Sequence, residues 1–174
     1  MKLQSIVLGA ALLSAITPAG AEPRRSHDWQ WDIDGDSYYY AATATPSGHA
    51  FGQYCYFDSG SCYYLIGVKT TCDIGDEYPA LLNSDAGSAH VTLICSHKFD
   101  DYNVFFITPF DDIDRIAKSA SRVGFAVPLQ NDLFKVVRFS LEGSTYAIES
   151  MRRAAEQRIR NQPSRGKRPS EELL

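Results

Sequence analysis

The chain has 174 residues, a formal net charge of −4 and 44% hydrophobic residues, with ten tyrosines and four cysteines. Such a composition suits a globular domain with a real core, not a low-complexity chain. Residues 22–151 carry nine Lys or Arg against eighteen Asp or Glu, whereas residues 152–174 carry seven against three; an acidic body argues against a nucleic-acid partner, whose phosphates demand cations.

The N-terminus has the three parts of an export signal. Lys2 supplies the positive region, Ile6 to Ile16 an apolar stretch, and Pro18 followed by Ala19-Gly20-Ala21 a helix stop and small residues for cleavage. That stretch is well short of the ~20 residues a membrane span needs. Residues 1–21 therefore read as a signal peptide and 22–160 as a single β-rich domain, with 161–174, rich in Pro, Ser, Gly and charge, as a disordered basic tail. No later segment is apolar for long enough to span a bilayer, and the expected location is periplasmic or secreted.

Glu22 to Asp28 is polar and reads as loose. Trp29-Gln30-Trp31 alternates, and Asp32 to Asp36 reads as a turn. Tyr38 to Thr45 has the β-branched and aromatic content of a strand. Ala50 to Phe57 and Cys62 to Lys69 flank the turn residues Asp58-Ser59-Gly60 and form a hairpin. Asp73 to Asp76 and Asn83 to Gly87 are loop signals, with Tyr78-Pro79-Ala80-Leu81-Leu82 between them. Ala89 to Ser96 and Asn103 to Thr108 read as strands. After Pro109, the spacing of Phe110, Ile113, Ile116, Ala117 and Ala120 predicts a helix. Val123 to Leu129 and Leu133 to Leu141 are two further strands around Gln130-Asn131-Asp132. A last helix starts near Ser144, the expected cap, with Tyr146, Ile148 and Met151 as its contacts. The whole predicts about seven short strands, then a helix, two strands and a helix: a mainly β fold, an antiparallel β-sandwich-like domain with two helices in the C-terminal part.

Cys55, Cys62, Cys72 and Cys95 are an even set in an exported chain, which points to disulfides. Of the three pairings four cysteines allow, the hairpin favours Cys55 with Cys62, leaving Cys72 for Cys95. Their spacing is not that of paired zinc knuckles, and an oxidising compartment disfavours free thiolates. Asp32, Asp34 and Asp36 lack the glycine and glutamate positions of a calcium loop and read as a solvated turn. His90 and His97, seven residues apart, point to opposite faces of a continuous strand and share no metal unless a bulge intervenes. No nucleophile elbow, zinc-protease helix or phosphate loop is present, so no catalytic residue, metal or cofactor is assigned.

Tyrosine is the most unusual feature. Tyr38, Tyr39 and Tyr40 adjoin, and Tyr54, Tyr56, Tyr63 and Tyr64 crowd the hairpin. Alternation puts Tyr54, Tyr56 and Tyr63 on one face, with Tyr64 on the cysteine side. If the first face is outward it is a binding surface; if inward, these residues are core.

The Trp-bearing start Trp29-Gln30-Trp31 and the strand-borne cysteines with Gly-rich turns belong to one pattern. So does the closing run Phe125-Ala126-Val127-Pro128-Leu129, then Val137-Arg138-Phe139-Ser140-Leu141-Glu142-Gly143-Ser144 and Ala147-Ile148. In these features the chain resembles the invasion-associated locus B family of exported bacterial proteins. The resemblance implies an exported β-rich domain linked to host-cell invasion or envelope stress, with no catalytic residue to carry over. Export, disulfides and absent motifs together predict a non-enzymatic periplasmic protein that binds a protein partner. The alternative is a periplasmic inhibitor or immunity-type protein whose acidic body steers it to a basic enzyme.

Overall fold

Period-two alternation dictates most of this molecule, because a strand that buries one face must repeat apolar residues at every second position. The computed structural model describes residues 23–99, 101–128 and 134–161. The expected signal peptide, the turn at 130–132 and all of the tail but its first residue lie outside the described residues.

Eight strands come first: β1 (Arg24–Ser26), β2 (Trp29–Asp34), β3 (Tyr38–Ala44), β4 (Ala50–Tyr56), β5 (Cys62–Val68), β6 (Glu77–Ser84), β7 (Gly87–Phe99) and β8 (Tyr102–Thr108). Helix α1 (Phe110–Ser119), strands β9 (Arg122–Pro128) and β10 (Phe134–Ser140), and helix α2 (Ser144–Asn161) follow. All the strands join one antiparallel sheet in the order β1-β2-β3-β4-β5-β8-β7-β6-β9-β10. The sandwich-like character arises because this single sheet folds its ends together. Phe51 of β4 meets Phe125 of β9 at 5.2 Å and Phe139 of β10 at 5.6 Å between ring centres. Trp29 of β2 donates its indole N–H to the Ser140 carbonyl at 3.0 Å.

One face of the sheet carries the core: Trp29, Phe51, Tyr64, Ile66, Leu82, Leu93, Phe105 and Phe125 are all fully buried there. Helix α2 covers β2 and β3 on that face, and α1 lies by β5 and β8. Asp111 and Asp112 in the first turn of α1 and Lys118 in its last complement the helix dipole. Close approach of strands is bought at Gly52, where a Cβ would overlap the Ala41 carbonyl oxygen and lie 2.6 Å from the Ala42 Cβ.

Several expectations change. Residues 24–26 form an edge strand, with the Arg24 guanidinium 4.5 Å above the Trp31 ring. Asp32 and Asp34 belong to β2, not to a turn. Residues 77–84 form a strand despite Pro79. Its second neighbour, β9, pairs only with Leu81–Ser84, so at Pro79 one flank is free and a missing N–H is tolerated. Ser144 is not a side-chain cap: it is buried, and its hydroxyl donates to the Ala117 carbonyl at 2.6 Å, tying α2 to α1. Ile148 and Met151 are core, whereas Tyr146 is 60% exposed.

Candidate functional site

The β4–β5 register sets Tyr54 opposite Tyr63 and Cys55 opposite Cys62. A two-residue period then sends Tyr54, Tyr56 and Tyr63 to the face away from the helices. Cys55 and Tyr64 point into the core, both essentially inaccessible to solvent. Tyr63 is 41% exposed, and Tyr54 and Tyr56 are half-buried. Cys55 pairs with Cys62 and Cys72 with Cys95, and no described cysteine is free.

Strand β3 adds two more rings, because Tyr38 lies opposite Tyr56 and Tyr40 opposite Tyr54. The result is a ladder across the outer face. Tyr40 stacks on Tyr54 at 6.1 Å, Tyr54 meets Tyr38 at 5.4 Å, Tyr38 meets Tyr56 at 5.4 Å, Tyr56 meets Tyr63 at 6.1 Å, and Tyr63 ends on Phe106 at 5.3 Å. Each such aromatic pair contributes about 0.5–1.5 kcal/mol beyond simple burial, which stiffens the face before anything binds.

Beside the ladder is a groove of about 460 Å³. Its floor is made of small or aliphatic residues, Ala50, Gly67, Leu65 and Val104; Tyr38, Tyr54 and Tyr56 line it on one side and Tyr102 and Phe99 on the other. Phe99 is 67% exposed. A bulge between Cys95 and His97 in β7 resets the alternation, so His97 faces outward opposite Val104 and joins this groove. The same bulge puts His97 on the face of His90, correcting the expectation for an uninterrupted strand. Seven residues of extended chain still separate them by roughly 23 Å, and no set of three metal-ligating side chains converges among the described residues.

The phenols of Tyr38, Tyr40, Tyr54 and Tyr56 are held in the neutral form. Burial, then the Asp34 carboxylate, pushes Tyr38 well above the usual phenol range. Tyr54 is pushed up to about 12 by burial and by Tyr56 and Tyr40. Tyr40 and Tyr56 rise for the same reason, aided by Asp32 and Asp34 at the first and by Asp58 and Tyr63 at the second. Carboxylates therefore border the ladder, with Asp34 opposite Tyr38 and Asp32 opposite Tyr40 on β2.

Under the sheet, a separate polar cluster joins the helices to the strands. Tyr64 donates to Asp114 at 2.8 Å, Lys118 lies 2.9 Å from the same carboxylate, and Arg152 bridges Asp114 at 2.5 Å and Gln53 at 2.7 Å. Burial alone would raise the Asp114 carboxyl, but hydrogen bonds from Lys118, Tyr64 and Arg152, with the Arg152 charge, outweigh it and hold it below its ordinary value. Sequence reading missed this cluster, as well as Tyr102, Phe99, Leu65 and Val104, because they come together only once β8 is placed beside β5. The one available signal was the alternation within each strand.

No helix among the described residues is long and apolar enough to cross a membrane. Two disulfides fit an extracytoplasmic location. No protein-family profile and no characterised protein matches the sequence. The fold, however, is similar to that in the crystal structure of invasion associated protein B from Bartonella henselae, with a TM-score of 0.59 over 79% of this chain and 99% of that one, at 11% identity. The likeness is one of fold, and it agrees with the resemblance carried by the Trp-bearing start and the closing run.

Proposed function

We propose that this chain is an exported, non-enzymatic protein of the periplasm or cell exterior that acts by binding another protein through its outer tyrosine face. The observation that carries this reading is the ladder Tyr40-Tyr54-Tyr38-Tyr56-Tyr63, assembled from three strands on the side of the sheet that neither helix covers. Tyrosine combines an apolar body with a polar tip and loses little rotamer freedom when it binds, so it dominates interface energetics. The Cys55–Cys62 link at the turn end of the hairpin preorganises the face. A role at the host-cell or envelope surface is supported by the fold shared with a protein named for invasion.

The test is co-purification from periplasmic extract with the mature protein and its Tyr54→Ser/Tyr56→Ser/Tyr63→Ser variant. The wild type is expected to retain a stoichiometric protein partner that the variant loses while keeping its circular dichroism and thermal midpoint. A partner retained equally by the folded variant would overturn the reading.

A further inference from the structure

The tyrosine face has a charge pattern that its aromatic content alone does not require. Outward positions on β2, β3, β4, β5 and β8 hold no Lys or Arg; their charged residues are Asp32 and Asp34. Asp58 follows at the end of β4, close enough to Tyr56 to raise its phenol. Neither Asp32, Asp34 nor Asp58 has a salt-bridge partner among the described residues, whereas Asp36 and Asp114 do.

Four cations elsewhere among the described residues lie over aromatic rings. Arg24 lies over Trp31, Lys69 over Tyr102, Arg152 over Phe110 and Arg158 over Phe57, at 4.4–5.6 Å. Tyr38, Tyr40, Tyr54, Tyr56 and Tyr63 have no such cation among the described residues. An aromatic face is electron-rich at its centre and attracts a cation, and a neighbouring carboxylate adds to that attraction. Because the phenols of Tyr38, Tyr40, Tyr54 and Tyr56 are held neutral, these rings keep their hydroxyls as donors.

We propose that the tyrosine face recognises a basic segment of its partner protein, with Arg or Lys side chains lying across Tyr38, Tyr54 and Tyr56 beside Asp34 and Asp58. The inference rests on the reading that this face binds protein and names the chemistry of what it binds. The opposite end of the ladder sets the orientation. There Tyr40 and Tyr54 share a cleft with two cations, Arg25 and Arg138, as well as Asp28, whereas Asp34 and Asp58 at the other end face no cation among the described residues, which favours the basic side chains at the Asp34 end. The Lys69 ammonium, 4.9 Å above the Tyr102 ring, stands at the far side of the groove and limits it in the same way.

The experiment titrates the purified mature protein with a synthetic decapeptide of alternating Arg and Gly, and with matched Gln-Gly and Glu-Gly peptides, following tyrosine ring resonances by NMR. The Arg peptide is expected to bind saturably, to shift Tyr38, Tyr54 and Tyr56, and to weaken as salt rises. Asp34→Asn/Asp58→Asn should weaken it roughly tenfold, as should Tyr54→Leu/Tyr56→Leu, which keeps apolar bulk but removes the ring faces. Arg138→Gln should leave it equal or tighter. Thermal midpoints confirm that each variant is folded. The inference is overturned if the Gln peptide binds as well as the Arg peptide, if the carboxylate and tyrosine variants bind unchanged, or if tetramethylammonium alone saturates the same resonances more tightly than the peptide. Self-association through this face in sedimentation would also overturn it. If the face captures a protein partner whose contacting segment lacks Arg and Lys, the basic-segment inference falls while the protein-binding reading stands; if the face captures no protein, both fall.

Discussion

Asp114 is the residue on which the two helices and the sheet converge. Its carboxylate accepts from Tyr64 on β5 and Arg152 on α2 and pairs with Lys118 on its own helix. Removing its charge leaves Arg152 partly buried without a countercharge, so Asp114→Asn is expected to cost about 2 kcal/mol at neutral pH, between the values for exposed and for buried pairs. The pH dependence has a definite sign. The folded-state carboxyl lies below its ordinary value of 3.8, so its contribution is complete above the unfolded value and is lost as pH falls through the lower folded one. Urea unfolding of wild type and variant should therefore differ most near pH 7 and converge in acid; a gap that widens below pH 4 would refute this account. None of this was legible from Asp114 alone, which reads in sequence as one of several acids at the start of an amphipathic helix.

Among the elements, the β4–β5 hairpin was legible because three independent signals agree: aromatic-rich runs, a short turn containing Gly60, which takes φ 67°, and cysteines on either side of it. Alternation then fixed which tyrosines share a face. Strands β1 and β6 were illegible for physical reasons. β1 is polar and exists because β2 offers it hydrogen bonds and Trp31 offers a ring to Arg24. β6 carries a proline that local propensity counts against a strand, and only its partial pairing with β9 makes room for it. The bulge in β7 has no local signature either, and it moves His97 to the other face. The two disulfides make a comparative prediction. Cys72–Cys95 spans 23 residues and Cys55–Cys62 only 7. On loop entropy the first contributes about 3 kcal/mol and the second about 2, so the Cys72→Ala/Cys95→Ala pair should lower the denaturation midpoint more than Cys55→Ala/Cys62→Ala. The reverse order would mean that hairpin rigidity outweighs loop length.

For the molecule as a whole, one sheet does two jobs. Its inner face, folded on itself around Phe51 and sealed by α1 and α2, holds the core. Its outer face is left with a tyrosine ladder bordered by carboxylates and a groove floored by small and aliphatic side chains. Composition pointed to that surface, since seven of ten tyrosines lie between residues 38 and 64. Which way the surface pointed depended on where the helices pack, a long-range choice that no local pattern encodes. The most direct measurement places a photo-reactive phenylalanine analogue at position 63, on the ladder, and in a second protein at position 146, on the exposed side of α2. After irradiation in the native compartment, position 63 is expected to capture one protein species and position 146 none; capture at 146 with none at 63 would contradict a function seated on the tyrosine face.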